Sequence, residues 1–152
     1  MFKNLRALFP VGALLILAAT SLSQAPPAQA NRIRVEIEGL RNDKGQVVCA
    51  LFSSAEGFPR NEDKAVAHLK RDIAHGQAFC EFPDIAAGTY AVSVFHDENS
   101  NGKLDTNFMG IPREGVGASN NAAGHFGPPK FSAAAFQFSG GEVDLKIHIN
   151  YL

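Results

Sequence analysis

The sequence predicts an all-β fold: an antiparallel β-sandwich of about seven strands carrying one long Gly/Asn-rich loop. Three observations predict it. Apolar residues recur at every second position in seven short runs, the period of a strand with one buried face. Turn-forming pairs rich in Gly and Asn separate several of these runs. The chain has 152 residues, which is room for one domain.

The first thirty residues read as an address. Lys3 and Arg6 form a basic start, and Leu8 to Ala19 is nearly all apolar. That run falls short of the ~20 residues that span a bilayer. A polar, Pro-rich stretch then ends in Ala28-Gln29-Ala30, with small residues where a signal peptidase needs them. A signal peptide over 1–30, cleaved after Ala30, is the expectation. It leaves 31–152 as one β-sandwich domain in the periplasm or outside the cell. That segment has 12 basic and 15 acidic residues, a net charge of about −3. It has no second long apolar run, so no transmembrane segment is expected in it.

Each strand follows in order. Ile33, Val35 and Ile37 alternate with Arg34, Glu36 and Glu38. Val47, Cys49 and Leu51 share one face of the next run, with Val48, Ala50 and Phe52 on the other, so this strand is central. Leu69, Arg71 and Ile73 make a weaker third run. Ala78, Cys80 and Phe82 make the fourth, and Tyr90, Val92, Val94 and His96 the fifth. Phe136 and Phe138 mark the sixth. Val143, Leu145, Ile147 and Ile149 make the seventh. Asn42-Asp43-Lys44-Gly45 suits a hairpin turn between the first two, His75-Gly76 links the next pair, and Gly140-Gly141 the last. One or two helical turns fit Asn61 to His68, with Asn61 as cap and Glu62 and Asp63 behind it. Seven such strands read as an immunoglobulin-like sandwich.

Composition narrows the function. Hydrophobic residues at 45% and charged residues at 19% exclude a disordered chain. The near-balance of charge argues against nucleic acid as a partner. Two cysteines are too few for a four-thiolate zinc site. In an oxidising compartment Cys49 and Cys80, each inside an apolar strand pattern, are expected to form a disulfide; the alternative is two buried thiols that do not meet.

One connection is unusually long. Residues 97–130 include six Gly, five Asn and three Pro, and a loop of this length in a compact domain is commonly functional. Phe108, Met109, Ile111, Val116 and Phe126 are expected to pack it onto the sandwich. Its start, Asp97 to Asp105, places Asp97, Asn99, Asn101 and Asp105 at positions one, three, five and nine, with Gly102 at six. This is the spacing of an EF-hand-type calcium loop, because a hard cation needs several oxygens aimed at one centre. Lys103 offers its backbone carbonyl at position seven, and Leu104 an apolar anchor. Position twelve is Phe108 rather than Glu, so remaining ligands fall to Asn107, Glu114 or water. Two carboxylates imply weak binding, about 0.1 to 1 mM. The alternatives are a plain turn at Asn101-Gly102 or another cation. Beyond it, Arg113, Glu114, Ser119, Asn120 and His125 are candidates to line a ligand pocket. The simpler reading has them satisfy the loop's own backbone.

Several runs carry a resemblance. Ala50-Leu51-Phe52-Ser53-Ser54-Ala55-Glu56-Gly57-Phe58-Pro59, Gly88-Thr89-Tyr90-Ala91-Val92 and His96 through Asp105 look like one family. So do Asn107-Phe108-Met109-Gly110-Ile111-Pro112 and Phe126-Gly127-Pro128-Pro129. They resemble the secreted bacterial domain-of-unknown-function family 2141, over nearly all of 33–151. The resemblance implies a secreted domain and no particular activity. At the level of fold, Gly-Thr-Tyr-Ala-Val followed by an Asp/Asn loop is similar to transthyretin-like and collagen-binding B-type sandwich modules. Some of these hold a stabilising calcium, which is an analogy of fold. The Tyr-Arg-Gly-Ser tail of hydroxyisourate hydrolases is missing from the terminus Ile149-Asn150-Tyr151-Leu152.

The expected function is that of a non-enzymatic envelope module whose loop binds structural calcium and supports an envelope protein or glycan partner. The first alternative is a hydrolase using His96 and Asp97 with His125 or Glu114 across the loop. Against it, no Gly-x-Ser-x-Gly or His-Glu-x-x-His motif occurs, and His96 has the inward parity of a core residue. The second is a carbohydrate-binding accessory domain, which the lack of Trp disfavours.

Overall fold

The computed structural model describes residues 31–152. The expected leader and its cleavage after Ala30 lie outside the described residues. The strands are β1 (Arg32–Glu38), β2 (Gln46–Phe52), β3 (Ala67–Arg71), β4 (Ala78–Pro83), β5 (Gly88–Asp97), β6 (Val116–Ala118), β7 (Phe136–Phe138) and β8 (Glu142–His148). They form a three-stranded sheet, β4-β1-β8, and a five-stranded sheet in which β3-β2-β5-β6 run in order and β7 also pairs with β5. Pairing is antiparallel except between β1 and β8, which run parallel.

The period-two runs bury one face between the sheets. Ile33, Val35, Ile37, Cys80, Phe82 and Ile147 meet Val47, Cys49, Leu51, Val92 and Val94 in one core. β2 buries six of its seven residues, as its two apolar faces required. Its outer face, with that of β5, is covered by the connections on either side. Phe58 stands edge-on to Phe52 and to Phe131, above Ala91, Ala118 and Ala134. Cys49 and Cys80 do form a disulfide, joining β2 of one sheet to β4 of the other.

Four expectations need correcting. The Asn42–Gly45 turn does not close a hairpin, since β1 and β2 belong to different sheets. The turns at His75-Gly76 and Gly140-Gly141 also cross between sheets. Asp43 ties two of these corners together by accepting from the N–H groups of His75 and Gly76 at 3.0 and 2.7 Å. Turn residues signal a reversal but not which sheet receives the chain. Next, the helical segment is one 3₁₀ turn, Glu62–Lys64, capped by Asn61 as expected, and His68 lies in β3.

The long connection is also not one loop. β6 and a 3₁₀ turn at Ser119–Asn121 interrupt it. β6 was hidden because its pattern, Gly115-Val116-Gly117-Ala118, lacks alternating side chains. The glycines are needed for close approach. A Cβ on Gly115 would collide with Ile149 and lie 2.6 Å from the Tyr151 ring, and one on Gly117 would lie 2.7 Å from Ile147 Cγ2. Here Val116 and Asn150 exchange both backbone hydrogen bonds, joining the two sheets at one edge. Finally, Phe108, Met109, Ile111 and Phe126 do not pack the connection down. All four are exposed, and Val116 is half-buried.

The disulfide closes a loop with a sequence separation of 31, for which chain entropy gives about 3 to 4 kcal/mol. Cys49→Ser/Cys80→Ser is expected to lower the thermal midpoint by about 10 °C or more. Calorimetry with and without reductant checks this; an unchanged midpoint contradicts it.

Candidate functional site

Strand geometry separates the two residues that looked most reactive. His96 and Asp97 are consecutive in β5, so their side chains emerge on opposite faces. His96 points into the core between the sheets and is fully buried. Its Nε2 lies 2.7 Å from the Lys44 carbonyl oxygen, and its Nδ1 lies 2.7 Å from the Tyr151 hydroxyl. A carbonyl only accepts, so Nε2 carries the proton and Nδ1 accepts from Tyr151. Tyr151 in turn accepts from the Arg41 backbone N–H, and the Arg41 guanidinium lies 4.4 Å above its ring. Burial raises the Tyr151 pKa above its ordinary value. Both nitrogens of His96 are therefore engaged, Nδ1 fixing the C-terminal residues and Nε2 the corner after β1 against β5.

Asp97 ends β5 on the outer face and is also fully buried. Its carboxylate accepts from Gln46 Nε2 at 2.7 Å, Asn101 N–H at 3.0 Å and Gly102 N–H at 2.8 Å. Asn99 Oδ1 accepts from Asn101 N–H, and Asn101 Oδ1 from Lys103 N–H. These bonds bend the chain tightly, and Gly102 takes the positive φ of 76° that a side chain resists. The carboxamide nitrogens of Asn99 and Asn101 both donate to Asp105, at 2.7 and 3.1 Å. Leu104 is half-buried.

Glu114 closes this loop from its far end. Nearly buried, it accepts from Glu98 N–H and Asp105 N–H, each at 2.9 Å. This role was not visible in the sequence, where Glu114 stood among candidate pocket residues. Glu98 faces outward and chelates Arg41 through two hydrogen bonds, with a third from Asn42. The Arg41 bonds, with that of Asn42, hold its pKa down at about 2.

The other candidates do not gather into one pocket. Ser119 is buried and donates to the Ala134 carbonyl at 2.6 Å while accepting from Val92 N–H at 2.9 Å. Asn120 donates to the carbonyls of Ala133 and Ala135. Arg113 and His125 are exposed. No hydrogen bond joins Asn120 or His125 to Arg113 or Glu114. Among the described residues, no three His, Cys, Asp or Glu side chains converge as metal ligands. The oxygen-rich loop instead offers two carboxylates and two carboxamides. A shallow apolar groove lies elsewhere, between Ala55, Phe58 and the Pro128–Ser132 segment, and no acid or histidine lines it.

The family model described as "Uncharacterized protein conserved in bacteria (DUF2141)" matches residues 35–146. The chain belongs to this family. The match runs from β1 into β8 and takes in the whole Asp97–Asp105 loop, so the loop lies within the family's domain. No curated protein and no solved structure matches significantly. Among the described residues no helix is long and apolar enough to cross a membrane. The disulfide fits an oxidising, extracytoplasmic compartment.

Two predictions follow from these bonds. Glu114→Ala strands two backbone N–H groups and is expected to cost about 3 kcal/mol, whereas His125→Ala stays within about 0.5 kcal/mol; urea unfolding checks the contrast. Glu98 has a folded pKa depressed from 4.5 to about 2. Its stabilising effect is therefore full above about pH 4.5 and lost as pH falls toward 2. Arg41→Gln is expected to flatten the acid side of the stability profile in that window; an unchanged slope contradicts the assignment.

Proposed function

We propose that this protein is a non-enzymatic envelope module whose Asp97–Asp105 loop takes a structural calcium ion and so stiffens a surface used for partner binding. The observation that carries the reading is the ladder of hydrogen bonds holding Asp97, Asn99 and Asn101 at alternate positions of one tight turn. The residues fit calcium in kind. Asp97 Oδ1 and the carboxamide oxygens of Asn99 and Asn101 each accept one N–H and keep a second lone pair, whereas Asp97 Oδ2 is filled by Gln46 and Gly102; Lys103 adds a backbone carbonyl. The carboxamide N–H donors of Asn99 and Asn101 now supply the positive edge that Asp105 demands. A cation supplies it more strongly, at the cost of turning those groups aside. When bound, the ion contributes charge neutralisation and crosslinking of the loop.

The non-enzymatic reading is supported by the engagement of three of the four candidate catalytic groups, His96 with Tyr151 and Lys44, and Asp97 and Glu114 with backbone N–H groups, while the fourth, His125, is exposed and shares no hydrogen bond with them. The envelope location is supported by the disulfide and the basic-then-apolar start of the chain.

With a dissociation constant near 0.5 mM, 10 mM calcium stabilises the fold by about 2 kcal/mol. Thermal unfolding in calcium, magnesium and chelator tests this. A calcium-selective rise of several degrees, abolished in Asp105→Asn, is the expected result. No rise, or the same rise in the variant, contradicts it. Asp105→Asn is preferred to Asp97→Ala, because Asp97 also holds the turn together.

A further inference from the structure

A hairpin leaves the oxygen-rich loop and carries apolar side chains into solvent. Thr106 and Pro112 pair across its base, and Asn107 N–H donates to the Ile111 carbonyl at 2.8 Å. At the tip, Asn107 Oδ1 accepts from Met109 N–H and Ile111 N–H at 2.9 and 3.0 Å, and Gly110 N–H donates to the Asn107 carbonyl. The tip's backbone is thus bonded within itself. What it presents is apolar: Phe108 is 95% exposed, Met109 64% and Ile111 40%. Three neighbouring apolar side chains on a preformed turn cost the protein exposed hydrophobic surface, and such surface marks a docking element.

Charge around the tip selects the partner. On the three-stranded sheet the cations Arg32, Arg34 and Lys146 are paired with Glu36, Glu38, Glu81, Glu142 and Asp144. Around the hairpin, among the described residues, Arg60, Lys70, Lys103 and Arg113 make no ion pair. Arg60 donates to the Gly110 carbonyl at the tip, at 3.4 Å. Arg113 N–H donates to the Asp105 carbonyl just below the Thr106–Pro112 bridge, and Lys103 enters the same hairpin. The Lys70 ammonium lies beside the Gly102 turn. Of the acids here, Glu98 is ion-paired with Arg41, while Asp97, Asp105 and Glu114 keep their charge but face N–H donors at the base of the hairpin, Asp97 and Glu114 being buried there. Glu62 stands near Lys70 and His68 and offsets part of the Lys70 charge.

We infer that the Phe108–Ile111 hairpin is a membrane-docking finger that inserts its apolar tip into a bilayer bearing anionic phospholipid. A convex knob needs a deformable interface, whereas a protein partner would need a preformed pocket. Arg60 reaches the tip carbonyl of Gly110 and Arg113 is exposed beside the hairpin's base, so both can meet headgroup phosphates as the tip inserts. Arg and Lys stems can lie along the acyl boundary with their charges in the phosphate layer.

The chain has no Trp, so Phe108→Trp introduces a single fluorescent reporter at a site that packing does not constrain. The test uses residues 31–152, which contain all eight strands, the disulfide and the core, and so avoids the apolar start of the chain. Chelator is present throughout, so the outcome does not depend on calcium. With vesicles of phosphatidylcholine and 30% phosphatidylglycerol, the indole emission is expected to shift to the blue and to be quenched by brominated lipid. Pure phosphatidylcholine is expected to bind at least tenfold more weakly. In co-sedimentation of the otherwise native domain, Phe108→Ser/Met109→Ser is expected to lower partitioning at least tenfold, and Arg60→Gln/Arg113→Gln to lower it and weaken its salt dependence. Unshifted emission with both vesicles overturns the inference and leaves the finger to a protein pocket. Binding that survives Phe108→Ser/Met109→Ser overturns it in favour of surface charge alone.

Discussion

Two buried carboxylates, Asp97 and Glu114, organise one end of this molecule. A carboxylate withdrawn from water must be met by donors or become too costly to keep. Asp97 meets two backbone N–H groups and the Gln46 carboxamide, and Glu114 meets the N–H groups of Glu98 and Asp105. The chain between them is therefore gathered from both ends. From this follow the tight oxygen-rich turn, the position of the exposed hairpin and the return of the chain at Gly115. The Gly115 carbonyl accepts from His96 N–H at 2.8 Å and delivers β6 into the sheet beside β5.

The same strand end shows how period two divides chemistry from structure. His96 and Asp97 are adjacent in sequence, yet one serves the core and the other the outer surface. His96 is bound by two partners distant in sequence, the Lys44 carbonyl and Tyr151. Tyr151 then brings Arg41 to Glu98 by way of its ring and hydroxyl. The chain terminus, the corner after β1 and the start of the oxygen-rich loop form one connected polar network, and polar residues that suggested catalysis hold it together.

Much of the sandwich was legible because each strand's own residues encode it. Ile33 to Ile37 and Val47 to Phe52 carry their faces in their alternation, and Cys49 and Cys80 point inward by the same rule. Pairing partners were not legible. The corner at Asn42–Gly45 looks like a hairpin turn because turn chemistry is local, while the choice of sheet depends on distant strands. β6 was invisible because Gly115 and Gly117 are dictated by Ile147, Ile149 and Tyr151, residues thirty positions away. The Asp/Asn spacing made the oxygen-rich loop legible residue by residue. The role of Glu114 was not, since its partners are backbone N–H groups that no side-chain pattern announces. Phe108 and Met109 looked like core by their chemistry alone, and their hairpin projects them into water.

Asp97 and Glu114 hold the 97–114 segment in one conformation before any ion or partner arrives. Amide hydrogen exchange in chelator reads this out residue by residue. The N–H groups of Glu98, Asn101, Gly102 and Asp105 all donate to these two carboxylates. Exchange at these four is expected to be at least a hundredfold slower than in an unstructured chain, with Glu98 and Asp105 losing that protection in Glu114→Ala. Exchange of all four at the unstructured rate would contradict it, because the loop would then have no conformation for an ion to find.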